Sequence, residues 1–125
     1  MNPEKIRILL ADDQYLLLQS LKMAITTLDP DMEIVATAAN GEEAIALLEK
    51  MPVAVALLDV RMPVMDGIRA ARIIRQRWPA VSVIMLTTFE DEHYLAQSLA
   101  SGAHGYLLKN IAPDLLISAI RAVKA

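Results

Sequence analysis

The chain has 125 residues, 55% of them apolar but only 4% aromatic, and it contains no cysteine. This length predicts one domain with an aliphatic core, and the cysteine count excludes disulfides and thiolate zinc sites. The net charge of −3 gives no electrostatic case for nucleic-acid binding by this segment. No apolar stretch reaches the length of a membrane span, and the start lacks a signal-peptide pattern, so we predict a cytoplasmic protein with no membrane segment.

Two strand–helix units fill the first part of the chain. An apolar run predicts the first strand, and apolar residues at helical spacing predict the helix after it. A second, β-rich strand precedes Asn40, which has the sequence of an N-cap with an acid three residues beyond it. In chain order these elements are predicted at 5–11, 15–28, 33–38 and 41 to about 51. The first strand stops abruptly at Asp12 and Asp13.

The third unit is centred on residues 53–67, an apolar run that ends on a carboxylate and enters a loop containing proline and glycine. Residues 53–58 are continuously apolar and too short for a helix, which predicts a strand buried on both faces. Asp59 ends this strand, where a carboxylate has no apolar role. Asp66 is predicted to cap the third helix, which ends before Pro79 and carries a solvated face of arginines. That face consists of Arg69, Arg72, Arg75 and Arg77.

Two further units complete the chain. The predicted elements are a strand at 81–86, a helix at 89–101, a strand at 105–108 and a helix from 113 to 123. The fourth strand ends at Thr87 and Thr88. Acidic residues suit the start of the fourth helix because of its dipole, and Gly102 follows it as the C-cap. The fifth strand ends on Lys109, and Pro113 occupies the first turn of the last helix.

Alternating strands and helices, with three strands almost solidly aliphatic, predict an α/β fold with a doubly wound parallel sheet. Ligands bind such sheets beyond the carboxyl ends of the strands. Four predicted strand ends carry polar residues to that edge. These residues are Asp12, Asp13, Asp59, Thr87 and Lys109.

The chemistry of this set follows from its charge. Three clustered carboxylates repel one another and favour a hard divalent cation with oxygen ligands, so we predict Mg²⁺. With the metal and Lys109, the pocket becomes neutral. A carboxylate beside these charges and the Thr87 hydroxyl is arranged to attack phosphorus, which predicts an aspartyl phosphate on Asp59.

At these residues the chain resembles the receiver domain of bacterial two-component response regulators over essentially its whole length, 1–125. The motifs are the acidic pair at 12–13, LLDVRMPVMDG, TTFEDE and GAHGYLLK, and they are similar to the NarL/FixJ subfamily, whose members usually carry a LuxR-type helix-turn-helix domain. The resemblance implies a flavodoxin-like fold with five helices around a five-stranded sheet in the order 2-1-3-4-5. Any DNA-binding domain then lies C-terminal to this chain.

The resemblance also implies roles for individual residues. Asp59 is the phosphoacceptor, and Thr87 and Lys109 are ligands of the phosphoryl group. The Mg²⁺ ligands are Asp12, Asp13, Asp59 and the backbone carbonyl of Arg61. Tyr106 is the switch aromatic, whose rotation remodels the surface around the fourth helix. Thr88 stands where a small alanine is frequent, and Asn110 where this subfamily often has aspartate.

The function implied is a phosphorylation-controlled switch and not a turnover enzyme. It takes a phosphoryl group from a sensor histidine kinase or, with Mg²⁺, from small donors, loses it slowly, and forms a homodimer when phosphorylated. DNA is a partner only through the attached domain. His93 and His104 lack paired ligand spacing and are interpreted as solvated residues.

The sequence leaves two alternatives open. A haloacid dehalogenase-type phosphatase also uses an aspartyl nucleophile, but carries DxD after its first strand where this chain has adjacent aspartates. A free-standing adaptor that acts through protein partners alone has the same domain without an output domain.

Overall fold

Five parallel strands form one sheet in a computed structural model that describes residues 5–124, apart from the side chains of Phe89, Glu90 and Glu92. The strands are β1 (Ile6–Ala11), β2 (Met32–Ala38), β3 (Val55–Asp59), β4 (Ser82–Thr87) and β5 (Gly105–Leu108). They pair in the order β2-β1-β3-β4-β5. The predicted doubly wound topology is confirmed.

The helices lie between and after these strands. They are α1 (Tyr15–Leu28), α2 (Gly41–Leu48), α3 (Gly67–Arg77), α4 (Leu95–Ala100) and α5 (Pro113–Lys124), with a 3-10 helix at Phe89–Tyr94. Within residues 5–124, none of the helices has the length and apolarity that crossing a membrane requires.

The core is divided by the sheet into two apolar clusters. Neighbouring residues of β3 alternate between them, so Leu57 belongs to the cluster with α1 and α5, and Leu58 to the cluster with α2 and α3. Both side chains are fully buried. Burial on both faces explains why the strand is apolar without alternation.

Two predicted helix caps are confirmed. Asn40 accepts the backbone N–H of Glu43 at 2.9 Å, and the Glu43 carboxylate accepts the N–H of Ala39 at 3.1 Å. The Asp66 carboxylate accepts the N–H of Arg69 at 2.8 Å, which fixes the start of α3. These bonds satisfy backbone donors that the first turn of a helix leaves unpaired.

The prediction of a continuous fourth helix over 89–101 was wrong. Its first six residues form a 3-10 helix, in which Asp91 N–H donates to the Thr88 carbonyl at 3.1 Å, and α4 begins at Leu95. Acidic residues at a helix start suit the helix dipole, but the Asp91 side chain turns inward, and the residue is only 9% exposed. Inward side-chain hydrogen bonds compete with regular α-helical geometry.

One arginine of the predicted solvated face has a structural role. Arg75 is half-buried and donates from Nη1 to the carbonyls of Pro79 at 2.8 Å and Val81 at 3.4 Å. The long side chain therefore closes the turn between α3 and β4. The interpretation of Arg69, Arg72 and Arg77 as exposed residues is confirmed.

The carboxyl end of α5 is held at the amino edge of the sheet. Ser82, the first residue of β4, donates its hydroxyl to the backbone carbonyl of Val123 at 2.8 Å. At the same edge Arg121 forms an ion pair with Asp29, a buried residue that follows α1. The last helix is therefore anchored near its end.

The loop between β3 and α3 contains a strained residue. Val64 has a φ of 69° and is 76% exposed, and Met65 N–H donates to the Pro63 carbonyl at 2.7 Å across it. This is a three-residue turn in the left-handed region, which a β-branched side chain disfavours.

Replacing Val64 with glycine is expected to raise the free energy of unfolding by about 1 kcal/mol, because glycine adopts this φ without a steric penalty. Chemical denaturation of both proteins measures the difference. Val64→Ile keeps the branched carbon and serves as the control, for which no gain is expected. A Val64→Gly protein less stable than the wild type would contradict the assignment of strain.

Candidate functional site

Three carboxylates meet at the carboxyl edge of the sheet. Asp12 follows β1 directly, Asp13 comes next, and Asp59 is the last residue of β3. Asp12 is 3% exposed and Asp59 4%, whereas Asp13 is exposed. One oxygen from each lies within 4.8 Å of the others. The structure therefore brings together the acidic residues that the sequence placed at two separate strand ends.

Lys109 joins two of these carboxylates. Its Nζ lies 2.9 Å from Asp12 Oδ2 and 3.0 Å from Asp59 Oδ2. The backbone N–H of Lys109 donates to the Thr87 carbonyl at 2.7 Å, which fixes the lysine just beyond β5. The lysine thus connects the ends of three strands through two nearly buried ion pairs.

These contacts shift the ionisation of both partners. Burial, and then the charge of Asp12, raise the pKa of Asp59 to about 6, although Lys109 acts in the opposite direction. For Lys109, burial lowers the pKa, but the contacts with Asp12 and Asp59 outweigh it, so the pKa is raised above its ordinary value. Lys109 stays charged at neutral pH, and the Asp59 carboxylate is held ionised at a free-energy cost.

The donor set fits a magnesium ion. All the candidate ligand atoms are oxygens, which this hard cation prefers. Asp12 Oδ2 is buried and, among the described residues, has no hydrogen bond beyond its ionic contact with Lys109. Arg61 N–H lies 3.4 Å from Asp59 Oδ1, so the main chain of Arg61 runs beside the cluster. The predicted use of the Arg61 carbonyl as a ligand stays a prediction.

Thr87 lies on the strand next to Asp59. In the β3–β4 register Asp59 pairs with Leu86, so Thr87 stands one residue further along, and it is fully buried. Its hydroxyl donates to the backbone carbonyl of Thr88 at 3.3 Å. The hydroxyl is therefore near the carboxylates by position, but it is bonded to its own loop.

A cavity of about 160 Å³ lies between the ends of β4 and β5. It is lined by Thr87, Thr88, Leu108, Lys109 and Asn110. The loop that carries the candidate threonine thus borders free space.

Gly67 permits the close approach of α3 to the end of β3. Its N–H donates to the Val60 carbonyl at 3.0 Å, and a Cβ added there would lie 2.0 Å from the carbonyl oxygen of Asp59. No side chain fits at that distance. The glycine therefore fixes where the chain turns after Asp59.

Sequence reasoning missed Asp91. Its carboxylate accepts from Arg61 Nη1 at 3.1 Å and from the Thr88 hydroxyl at 3.2 Å, and its backbone carbonyl accepts from Tyr106 Oη at 3.1 Å. The Thr88-x-x-Asp91 spacing, typical of a capping box, is the signal that could have identified it. Tyr106, the predicted switch aromatic, is half-buried and bonded to this residue.

Comparison with known proteins places this site in a family. A model described as the response regulator receiver domain matches residues 8–121. The chain is 40% identical over 123 residues to the transcriptional regulatory protein DegU of Brevibacillus brevis, covering 98% of this chain and 52% of DegU. It is 42% identical over 120 residues to the oxygen regulatory protein NreC of Staphylococcus epidermidis, covering 94% and 54%. The chain spans about half the length of these curated relatives.

Solved structures of response regulators are also similar to this chain. The signal receiver domain of the putative response regulator NarL from Mycobacterium tuberculosis has a TM-score of 0.90 at 30% identity, with 98% of both chains covered. A DNA-binding response regulator of the LuxR family from Staphylococcus aureus has a TM-score of 0.89 at 30% identity, covering 96% of this chain and 99% of that one. These matches confirm the resemblance to NarL-type receivers and remove the phosphatase alternative. With its carboxylate cluster at the sheet edge and a family match over residues 8–121, this chain belongs to the response regulator receiver domain family.

Proposed function

We propose that Asp59 is the phosphoacceptor of this receiver domain and that Mg²⁺ binds beside it. One observation carries the proposal: the nearly buried Asp59 carboxylate is ion-paired with Lys109 at 3.0 Å and clustered within 4.8 Å with oxygens of Asp12 and Asp13. A nucleophilic carboxylate needs such neighbours, because the group it attacks is itself anionic.

In the proposed transfer, an Asp59 oxygen forms a bond to phosphorus as the bond from phosphorus to the donor nitrogen breaks. The leaving imidazole of the kinase histidine retains the electron pair and takes a proton. Lys109, already 2.9–3.0 Å from both carboxylates, is positioned to pair with a phosphoryl oxygen, and Thr87 is the candidate hydrogen-bond donor. Asp12, Asp13, Asp59 and the Arg61 carbonyl would hold Mg²⁺, which when bound neutralises charge on the phosphoryl oxygens.

The partners follow from the same family. The donor is a phosphohistidine of a sensor kinase in the cytoplasm. We infer that residues 1–125 form the receiver domain of a longer transcriptional regulator with a C-terminal DNA-binding domain. The support is that the relatives are described as transcriptional regulatory proteins and that this chain covers about half of each.

Incubation with phosphoramidate and Mg²⁺, followed by intact-mass analysis, tests the proposal. One phosphoryl adduct per chain is expected, and it should be lost slowly and in a Mg²⁺-dependent manner. Omitting Mg²⁺ or adding a chelator should prevent its formation. A protein that stays unmodified in saturating donor and Mg²⁺ would refute the assignment.

Magnesium is expected to stabilise the unphosphorylated domain, because it relieves repulsion among carboxylates that the fold holds together. At about 100 times the dissociation constant, the gain in unfolding free energy should be roughly 2.7 kcal/mol. Thermal melts with and without Mg²⁺ measure it. Asp13→Asn should reduce the gain and Asp66→Asn, outside the cluster, should preserve it. An unchanged wild-type midpoint at saturating Mg²⁺ would show that the metal site is wrongly assigned.

Phosphorylation is expected to convert a mostly monomeric domain into a symmetric dimer. If the Thr87 hydroxyl turns toward the phosphoryl group, the loop after β4 moves, Tyr106 turns, and the surface of α4, β5 and α5 changes. Sedimentation velocity with and without beryllofluoride measures association. Thr87→Ala should impair the response, whereas Thr37→Ala, at an exposed position on the edge strand, should not. Equal association in both wild-type states would contradict the coupling.

A further inference from the structure

Asp91 forms contacts with three separate parts of the chain. Its carboxylate accepts from the guanidinium of Arg61, two residues after Asp59, and from the hydroxyl of Thr88, which follows Thr87. Its backbone N–H donates to the Thr88 carbonyl, and its backbone carbonyl accepts from Tyr106. Asp91 is therefore bonded to the loop after β3, the loop after β4 and a residue of β5.

These contacts belong to one position of the loop after β4. The Thr87 hydroxyl now donates to the Thr88 carbonyl, the same oxygen that accepts Asp91 N–H. A hydroxyl that turns to a phosphoryl group on Asp59 must leave this carbonyl. The movement of Thr87 displaces the adjoining Thr88 and strains the bond of its side chain to Asp91.

The contacts are also weak enough to break. The Arg61 side chain is 65% exposed and the Asp91 side chain 13%, so water screens this ion pair from the arginine side and reduces its contribution to stability. The cavity between the ends of β4 and β5 borders both Thr87 and Thr88 and leaves space beside the loop. Breaking the cluster therefore carries a small cost that the phosphoryl group can offset.

We propose that Arg61, Thr88 and Asp91 form a polar latch that holds the domain in its unphosphorylated conformation and lowers its affinity for a phosphoryl group on Asp59. The latch rests on the proposed function of Asp59. Thr88 is central to it, since its hydroxyl donates to the Asp91 carboxylate at 3.2 Å and the residue directly follows Thr87. Coupling between two sites is reciprocal. If a phosphoryl group on Asp59 opens the latch, then removing the latch should raise the affinity of the domain for a phosphoryl analogue.

Beryllofluoride with Mg²⁺ is the probe, and isothermal titration of the full 125-residue chain measures its dissociation constant. Asp91→Asn removes the charge that pairs with Arg61, and Thr88→Val removes the hydroxyl with little change of shape. Each variant should lower the unfolding free energy of the free domain and yet tighten beryllofluoride binding on the order of fivefold. The double variant Asp91→Asn/Thr88→Val should tighten beryllofluoride binding by less than the product of the two single effects, because both substitutions disrupt the same cluster.

Glu49→Gln is the matched control, because Glu49 pairs with Arg77 at 2.8 Å in another arginine–carboxylate contact away from the candidate site. It should leave beryllofluoride affinity unchanged. If the Asp91 and Thr88 variants lose stability without binding beryllofluoride more tightly, these residues have only a structural role and the latch is refuted. Should Asp91→Asn fail to fold, the Thr88→Val result decides. A wild-type domain that binds no beryllofluoride would overturn the proposed function itself, and the latch with it.

Discussion

Replacing Asp59 with asparagine is expected to abolish phosphorylation completely while the domain stays folded. The amide keeps the shape of the side chain but has no anionic oxygen to form an acyl phosphate. Intact-mass analysis after treatment with phosphoramidate and Mg²⁺ is the measurement. Asp66→Asn is the control, because Asp66 is also an acidic residue of the same loop region but caps α3. Full phosphorylation of the Asp59→Asn protein would refute the assignment of Asp59 as the phosphoacceptor.

The same variant should be more stable than the wild type at neutral pH without metal. The folded-state pKa of Asp59 is about 6 against an ordinary value of 3.8. Because the pKa of Asp59 is higher in the folded state, the wild-type domain keeps its full stability below pH 4. Part of that stability is lost as the pH rises through 6. The difference corresponds to at most about 3 kcal/mol at pH 7.5, and it already includes the favourable contact of the ionised carboxylate with Lys109.

Denaturant titrations at pH 4 and pH 7.5 in the presence of a chelator measure how much the ionised Asp59 carboxylate lowers the unfolding free energy. The stability advantage of Asp59→Asn should appear at pH 7.5 and shrink at pH 4, where the wild-type carboxyl is mainly protonated in the folded state. An equal advantage at both pH values would contradict the raised pKa as its cause.

Gly67→Ala is expected to destabilise the domain by about 3 kcal/mol or more. The added Cβ would lie 2.0 Å from the Asp59 carbonyl oxygen and 2.9 Å from Met85 Cε. The methionine methyl can move, but the backbone of a central buried strand cannot do so without disturbing its neighbours. Chemical denaturation measures the loss, and the phosphorylation rate of the surviving folded fraction should fall because Asp59 is displaced.

Gly105→Ala provides the comparison for this prediction. A Cβ at Gly105 would approach Ile84 Cγ1 at 3.4 Å, an ordinary van der Waals distance. The expected change in unfolding free energy is within about 1 kcal/mol. If the two alanine variants were equally stable, the contact between α3 and the end of β3 would not be the constraint described here.

The sheet and the central site residues were predictable because they follow from simple patterns. Runs such as 53–58 are apolar without alternation, and Asp59 and Lys109 stand where such runs end. Parallel strands bring their carboxyl ends to one edge, so residues far apart in sequence had to meet there. The ion pairs of Lys109 with Asp12 and Asp59 confirm that these strand ends meet.

The segment after β4 was not predictable in the same way. Acidic residues at a helix start favour both α-helical and 3-10 geometry, and the Thr88-x-x-Asp91 spacing is only a weak indication that the Asp91 side chain turns inward. The result depends on Arg61 and Tyr106, which approach from other elements. The left-handed φ of Val64 was likewise hidden, since a β-branched residue is a poor indicator of that conformation.

The anchoring of α5 by Ser82 separates the two ends of the domain. Ser82 and Thr87 are the first and last residues of β4, so about 17 Å of strand lies between the bond to Val123 and the carboxylate edge. Anything fused after Lys124 therefore leaves from the end of the domain opposite Asp59. A fluorescent reporter joined there would leave the approach of a bulky donor protein open, and it would sense modification only through changes in domain shape or association.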